Sequence, residues 1–240
     1  MPNHQVLDNI NHQHLRVITA HKTEFGDVAS YSNVFVSEFR HAQADYPILF
    51  RKNTETAEFE AICMFGFAAQ ENLFLDNQGW HASYIPLSIE RQPFLIGLQH
   101  GDQPGQNEPQ AMVNIDMDSP RVSQTEGELL FLEQGGQSPY LQRISSVLKA
   151  IHQGHSETKA FIDELIKNDL LESVAINVTL NDGSHHELAS LYTINEDKLK
   201  QLSSDRVFEF HQSGYLQHIY MIMGSMSNMS KLIELKNQSL

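Results

Sequence analysis

The stretch that decides the fold class is VAINVTLNDGSHHELASLYTI, residues 174–194. Its two ends, 174–180 and 187–194, are rich in β-branched and other apolar residues, as strands usually are. Between them lies NDGS, residues 181–184, in which Asp-Gly favours the left-handed backbone of a tight turn. The stretch therefore predicts a β-hairpin.

Helical patterns surround this hairpin. Within 141–152, apolar residues recur at spacings of three and four, which indicates one apolar helix face. Another helix is predicted before the hairpin over 156–167. Three more are predicted after it, over 196–202, 205–212 and 215–235.

Short strand signals dominate the chain before Gly135-Gly136. The predicted strands are 15–19, 48–51, 58–67, 72–75, 94–98 and 112–115. One helix is predicted over 34–45, because the residue before Pro47 is pushed out of the α region. The composition of 101–110 predicts a mobile surface loop.

These elements predict an α+β fold. Mixed or antiparallel strands in the N-terminal part would pack against a helix-rich C-terminal part with one β-hairpin. The length of 240 residues suits a single domain over 1–240. The alternative is a subdivision near 135, into a strand-rich segment over 1–134 and a helix-rich segment over 137–240.

Composition narrows the function classes. A net charge of −14 disfavours binding to nucleic acid, which is itself a polyanion. A mean hydropathy of −0.36 and the lack of a long apolar run predict no membrane span. The first residues lack the pattern of a secretory signal, and the single cysteine, Cys63, predicts a reducing compartment and a buried structural thiol. We therefore expect a cytoplasmic protein.

The highest density of ionisable groups lies in IDMDSPRVSQTEGELLF, residues 115–131. On a strand, Asp116 and Asp118 would share one face, and Pro120 would turn the chain so that Arg121 comes back towards them. One interpretation is a polar pocket for acid–base work or for a hard cation. The other is an Asp–Arg ion pair that fixes a loop. The sequence leaves both open.

A second cluster surrounds Trp80, the only tryptophan, with Tyr84 and Arg91 nearby. Aromatic side chains beside turns either line a binding pocket or anchor the core. The thirteen histidines include the close pairs His152/His155 and His185/His186. Their spacing does not match that of metal ligands, so we expect solvated surface histidines and no metal site.

An ordered set of segments resembles the bacterial SapC family. The segments are EFR (38–40), ADYPI (44–48), ENLFLD (71–76) with Trp80, YIP (84–86), RQPF (91–94), SPR (119–121) and EG (126–127), followed by Leu216, Ile219-Tyr220 and Ser225. The resemblance covers about residues 29–232. No single motif in the set is decisive, but the order of the segments is specific.

This resemblance implies little about chemistry. The family's name comes from an association with bacterial surface layers, and its molecular role is poorly defined. The resemblance also implies gene neighbourhoods with halogenase-like proteins, cupin-like proteins and uptake receptors. It implies no catalytic residues and no cofactor.

Three function classes follow. We favour a non-catalytic accessory or binding protein of an uptake or halogenase/cupin-associated pathway. The alternatives are an enzyme with a polar Arg/Asp/Glu pocket and an exported surface-layer component. The candidate ligand-binding residues are Glu38, Arg40, Trp80, Tyr84, Arg91, Asp116 and Arg121. Protein partners are expected, and the Met-rich end, 221–229, is expected to serve core or homodimer packing.

Overall fold

The computed structural model describes residues 3–99 and 110–240. Most of the predicted loop 101–110 therefore lies outside the described residues. The chain divides into two compact units. Unit 1 comprises residues 1–27 and 87–152, and unit 2 comprises residues 28–86 and 153–240. The predicted subdivision near 135 lies within unit 1.

The described strands are numbered in chain order. They are β1 (His4–Val6), β2 (Arg16–Val17), β3 (Tyr31–Asn33), β4 (Ile48–Lys52), β5 (Phe59–Met64), β6 (Leu75–Asp76), β7 (Gly79–Trp80), β8 (Phe94–Gln99), β9 (Gln110–Asp116), β10 (Val122–Ser123), β11 (Glu128–Leu129), β12 (Leu171–Thr179) and β13 (His185–Ile194).

The described α-helices follow the same convention. They are α1 (Phe39–Ala42), α2 (Leu87–Glu90), α3 (Pro139–Lys167), α4 (Glu196–Lys200), α5 (Ser204–Gln212), α6 (Tyr215–Ser225) and α7 (Asn228–Gln238). A short 3-10 turn, Thr23–Phe25, lies between β2 and β3. No helix in 3–99 or 110–240 has both the length and the apolar character needed to cross a membrane.

The α+β prediction is confirmed. Antiparallel sheets occupy the N-terminal part, and long helices with the β12–β13 hairpin occupy the C-terminal part. The hairpin closes where Thr179 pairs with His185, and the Gly183 backbone has a φ of 83°, as the Asp-Gly signal predicts. In unit 2 this hairpin extends one five-stranded sheet of order β12-β13-β4-β5-β3.

Four helix predictions were wrong in their bounds, namely 34–45, 141–152, 156–167 and 215–235. The predicted break between 152 and 156 is absent, because α3 runs on through Gly154. A Cβ at that position would lie 2.8 Å from the Phe35 Cβ, so the glycine serves close packing and does not end the helix. The predicted helix 34–45 is reduced to the single turn α1, because the Val34 N–H bonds to the Ala61 carbonyl beside β5.

The predicted helix 215–235 is divided into α6 and α7. The Ser225 and Ser227 hydroxyls donate to carbonyls of the last turns of α6, and such local bonds compete with helix continuation. Ser225 also accepts the Ile48 N–H at 2.9 Å, which fixes the end of α6 at the start of β4. The Met-rich residues of this region are half-buried.

Cys63 is fully buried in β5, as expected for a structural thiol. Burial raises the pKa of its thiol well above the ordinary value, and the nearby Glu38 carboxylate adds to the effect. The thiol is therefore protonated at neutral pH and a poor nucleophile.

The described part of unit 1 contains two small antiparallel sheets, of order β1-β9-β8 and β10-β2-β11. Apolar side chains from both sheets and from the first half of α3 form its core. These core residues are Leu15, Val17, Phe94, Ile115, Leu130, Phe131, Leu141, Ile144 and Leu148. The first turn of α3 thereby lies beside β2 and β8, and this arrangement positions the candidate site.

Candidate functional site

Four of the seven predicted site residues lie in unit 2, and two of them are in direct contact. Glu38 is buried, and its carboxylate accepts the Tyr84 O–H at 2.8 Å and the Phe35 N–H at 3.0 Å. The ring of Tyr84 stacks on His41, with centroids 5.4 Å apart. Glu38 thus anchors both the chain entering α1 and the segment that carries Tyr84.

Trp80 joins the same network through a neighbouring tyrosine. Its Nε1 donates to the Tyr46 hydroxyl at 2.8 Å, and that hydroxyl donates to the Tyr84 carbonyl. Tyr46 is fully buried, whereas Arg40 is exposed on the outer side of α1. In unit 2 the predicted residues therefore form a packed hydrogen-bonded network, with Arg40 on its surface.

Arg91, Asp116 and Arg121 lie in unit 1 and contact different partners. The Arg91 guanidinium donates to the Phe94 carbonyl at 2.6 Å, and burial lowers the pKa of this arginine. The Asp116 carboxylate accepts the Asp118 N–H at 3.1 Å, which caps the turn after β9.

The predicted Asp–Arg ion pair exists, but its acid is Asp27 and not Asp116 or Asp118. Arg121 Nη2 lies 2.7 and 2.6 Å from the two Asp27 carboxylate oxygens. Arg121 Nη1 donates to the carbonyls of Ile18, at 3.0 Å, and Ala20, at 2.9 Å. The terminal nitrogens of Arg121 therefore bind partners within unit 1 itself.

The electrostatics of this pair stabilise the charged form of Asp27. Burial raises the pKa of the carboxyl, but the hydrogen bond from His21 and the charge of Arg121 outweigh it, so the pKa is lowered. His21 Nδ1 lies 3.3 Å from the Asp27 carboxylate. The side chains of Arg121 and Asp27 are 2% and 0% exposed, so the pair lies in a region of low dielectric.

A cavity of about 510 Å³ lies over this ion pair. We call it the Tyr140 pocket. It is lined by Thr19, His21, Glu90, Gln92, Arg121, Glu128, Pro139, Tyr140, Arg143 and Ile144, all in unit 1. Its size lies in the range of small-molecule sites.

The local sequence explains one wall of the Tyr140 pocket. Ser138 begins α3, because its hydroxyl accepts the Leu141 N–H at 3.1 Å, and Pro139 takes the first helical position. Tyr140 and Arg143 are three residues apart, so both project from the same side of the helix. A standard helix start thus presents an aromatic and a cationic side chain to the cavity.

Two residues of α3 that line the pocket, Tyr140 and Arg143, differ in burial and in charge. Burial raises the pKa of Tyr140 to about 12, although the nearby Arg121 charge opposes this, so its hydroxyl remains a hydrogen-bond donor at neutral pH. Arg143 Nη2 pairs with the carboxylate of Glu90, which ends α2. The Arg143 side chain is 71% exposed, whereas that of Glu90 is 21% exposed.

Arg121, which lines the pocket, has one donor that is unpaired among the described residues. Its Nε is buried and has no hydrogen-bond partner within the described parts of the chain. An unpaired buried donor on a charged group costs free energy, about 1–3 kcal/mol. Such atoms occur at sites where a ligand or water supplies the missing acceptor.

Of the predicted site residues, only Arg121 lines the Tyr140 pocket. The sequence analysis missed Asp27, His21, Tyr140 and Arg143. Asp27 is 94 residues from Arg121 in sequence, so no local pattern could reveal the pair. Tyr140 could have been found, because Ser-Pro directly before it is a helix-start signal. Within 3–99 and 110–240, no group of three or more His, Cys, Asp or Glu side chains is arranged to hold a metal ion.

Comparison with known proteins yields one match. The model of the SapC family matches residues 7–232. The chain belongs to the SapC family. The resemblance expected from the ordered segments is therefore confirmed, and the Tyr140 pocket lies within the matched span. No curated protein and no solved structure matches the chain.

One of the segments that carries the SapC resemblance has a clear structural role. Gly127 has a φ of 94°, and a Cβ there would lie 2.2 Å from the Val17 carbonyl oxygen. The Arg16 guanidinium donates to the Gly127 carbonyl at 2.8 Å. The Glu-Gly step of this SapC chain therefore lets the backbone pass close to β2 directly before Glu128, which lines the Tyr140 pocket.

Proposed function

We propose that this SapC-family protein is a non-catalytic accessory protein that binds a small polar molecule in the Tyr140 pocket. The observation that carries the proposal is a ligand-sized cavity lined by Tyr140, Arg143 and Arg121, a buried arginine whose Nε has no partner among the described residues. A ligand acceptor would compensate for this buried donor.

The pairing of the charged groups supports binding over catalysis. Arg121 is neutralised by Asp27, and Arg143 is neutralised by Glu90. A general acid or base must be within hydrogen-bond reach of its substrate and in the required protonation state. The paired groups instead resemble a preorganised polar lining that orients a molecule.

Membership of the SapC family supports the second half of the proposal. We place the protein in the cytoplasm, where it would act beside enzymes or uptake components of the halogenase-like, cupin-like or receptor type. Its charge of −14 supports a protein partner with a basic surface more than a nucleic acid.

The test of ligand binding is extraction of small molecules from tagged protein purified from its native host. Thr19 is exposed at the pocket rim, and Thr19→Trp would fill the cavity without disturbing the core. Thr125→Trp, also exposed in unit 1 but outside the pocket, is the matched control. We expect one compound to co-purify with the wild type and the control, and to be lost from Thr19→Trp. Equal recovery from all three proteins would refute the proposal.

The test of the accessory role uses the same tagged strain. Mass spectrometry of proteins cross-linked in living cells is expected to identify a halogenase-like, cupin-like or uptake partner in the cytoplasmic fraction. Intact protein found only outside the cell, in ordered arrays, would contradict this role and favour a surface-layer component.

A further inference from the structure

Both arginines in the wall of the Tyr140 pocket are already paired. Arg121 pairs with Asp27 beneath the wall, Arg143 pairs with Glu90 within it, and Glu128 is exposed to solvent. A ligand with a single charge would lose hydration and leave one member of the Arg143–Glu90 pair without its partner. A ligand that carries both signs would find a partner for each.

The ion pair at the rim of the pocket can exchange partners. Arg143 is a long side chain that is 71% exposed, and pairs of this exposure contribute little stability. A carboxylate can bind a guanidinium through two parallel hydrogen bonds. If a ligand carboxylate takes Arg143, Glu90 is left free to accept a ligand ammonium group.

The helix start gives the ligand an orientation. Pro139 and Tyr140 form the first turn of the 29-residue helix α3, whose N-terminal end carries a partial positive charge. The buried Arg121, with its unpaired Nε, lines the same cavity. Both features favour a position of the ligand carboxylate near the start of α3. The ammonium group of the ligand would then lie beside Glu90. The Tyr140 ring and the Ile144 side chain supply apolar surface.

Building on the proposed ligand-binding function, we propose that the Tyr140 pocket is selective for a small zwitterion with an apolar body, such as a free α-amino acid. The ligand carboxylate displaces Glu90 from Arg143, and the ligand ammonium group replaces Arg143 on Glu90. Each internal charge then has a partner in both states, so no charge is left unpaired on binding.

Calorimetry with three compounds of one skeleton tests this selectivity. L-Phenylalanine carries both charges, 3-phenylpropanoate carries only the carboxylate, and phenethylamine carries only the ammonium group. We expect phenylalanine to bind at least about tenfold more tightly than either analogue, because each loses one charge-assisted hydrogen-bonded partner. Arg143→Gln should abolish the preference for phenylalanine over phenethylamine, because it removes the partner of the ligand carboxylate and frees Glu90 for the ammonium group of either compound.

Lys149→Gln is the matched control, because it removes one exposed positive charge from the same helix outside the pocket. It should leave phenylalanine binding unchanged. If 3-phenylpropanoate binds as tightly as phenylalanine, the proposed selectivity for zwitterions is wrong, but the proposed binding of a small molecule is not contradicted. Failure of all three compounds to bind at millimolar concentrations also overturns the claim, and the co-purified compound then decides the proposed function separately.

Discussion

Replacing Asp27 by Asn tests the ion pair beneath the Tyr140 pocket. The substitution keeps the shape of the side chain but removes its charge. Arg121 would remain 2% exposed and would lose two contacts of 2.6 and 2.7 Å to a carboxylate. Breaking a buried pair by neutralising one partner destabilises a protein by about 3–5 kcal/mol.

The structure favours the lower end of that range. Arg121 keeps its bonds to the Ile18 and Ala20 carbonyls, and the amide oxygen of Asn can still accept the Lys22 N–H that Asp27 accepts at 3.0 Å. We therefore expect a loss of about 3 kcal/mol in the free energy of unfolding, measured by urea denaturation at neutral pH. For a chain of this length the melting temperature would fall by about 6–12 °C.

The pH dependence gives the same prediction a second check. The pKa of Asp27 is lowered in the folded state: burial raises it, but the His21 hydrogen bond and the Arg121 charge outweigh that effect. The stability from this group is therefore present above the unfolded pKa of about 3.9 and is lost as pH falls through the folded value. The difference between wild type and Asp27→Asn should be constant near neutral pH and shrink in acid.

The control is Glu24→Gln, which removes the exposed Glu24–Lys22 pair in the same unit. This change should cost less than about 0.5 kcal/mol. The reasoning is refuted if Asp27→Asn is no more destabilising than Glu24→Gln, or if its effect is unchanged in acid.

Four further substitutions test unit 2. Gly154→Ala should destabilise by about 1–3 kcal/mol through overpacking on Phe35, whereas Gly224→Ala, with open space around its Cα, should stabilise by about 0.5–1 kcal/mol. Burial lowers the pKa of His218, so the folded state favours the neutral imidazole. The free energy of unfolding should therefore fall as the pH drops below about 6.5, the unfolded pKa of histidine. His218→Gln should reduce this dependence of stability on pH. Glu71→Gln should cost about 1.5–3 kcal/mol, because the carboxylate accepts two backbone N–H groups and an ion pair from α7.

Urea denaturation measures the effect of all four substitutions on the free energy of unfolding. Equal effects of the two glycine substitutions would contradict the packing role of α3. A pH slope that is the same in wild type and His218→Gln would show that this imidazole titrates normally. A neutral Glu71→Gln would show that the loop after β5 does not depend on its carboxylate cap.

Local patterns in the sequence were enough for the fold class. The Asp-Gly turn and the apolar runs on both sides predict the β12–β13 hairpin, because turn geometry and strand alternation depend on neighbouring residues. The length of α3 could not be predicted in this way. Gly154 is a helix-ending signal by propensity, and only the tertiary contact with Phe35 explains why the helix continues through it.

The candidate site was less accessible to sequence reasoning for the same physical reason. The sequence identified Arg121 as a candidate for an ion pair but assigned it to acids nearby in the chain. Its partner, Asp27, lies 94 positions away, and the pairing depends on β10 packing against β2. The Ser-Pro helix start was visible in the sequence. That Tyr140 and Arg143 line a pocket could not be predicted, because that pocket is also lined by Glu90, which is distant in sequence.

The most direct test of the central claim is a crystal structure of the protein purified from its native host without denaturation. We predict a small organic molecule in the Tyr140 pocket, with its carboxylate on Arg143 and the Arg143–Glu90 pair broken. A pocket that contains only ordered water, with that pair intact, would contradict the account.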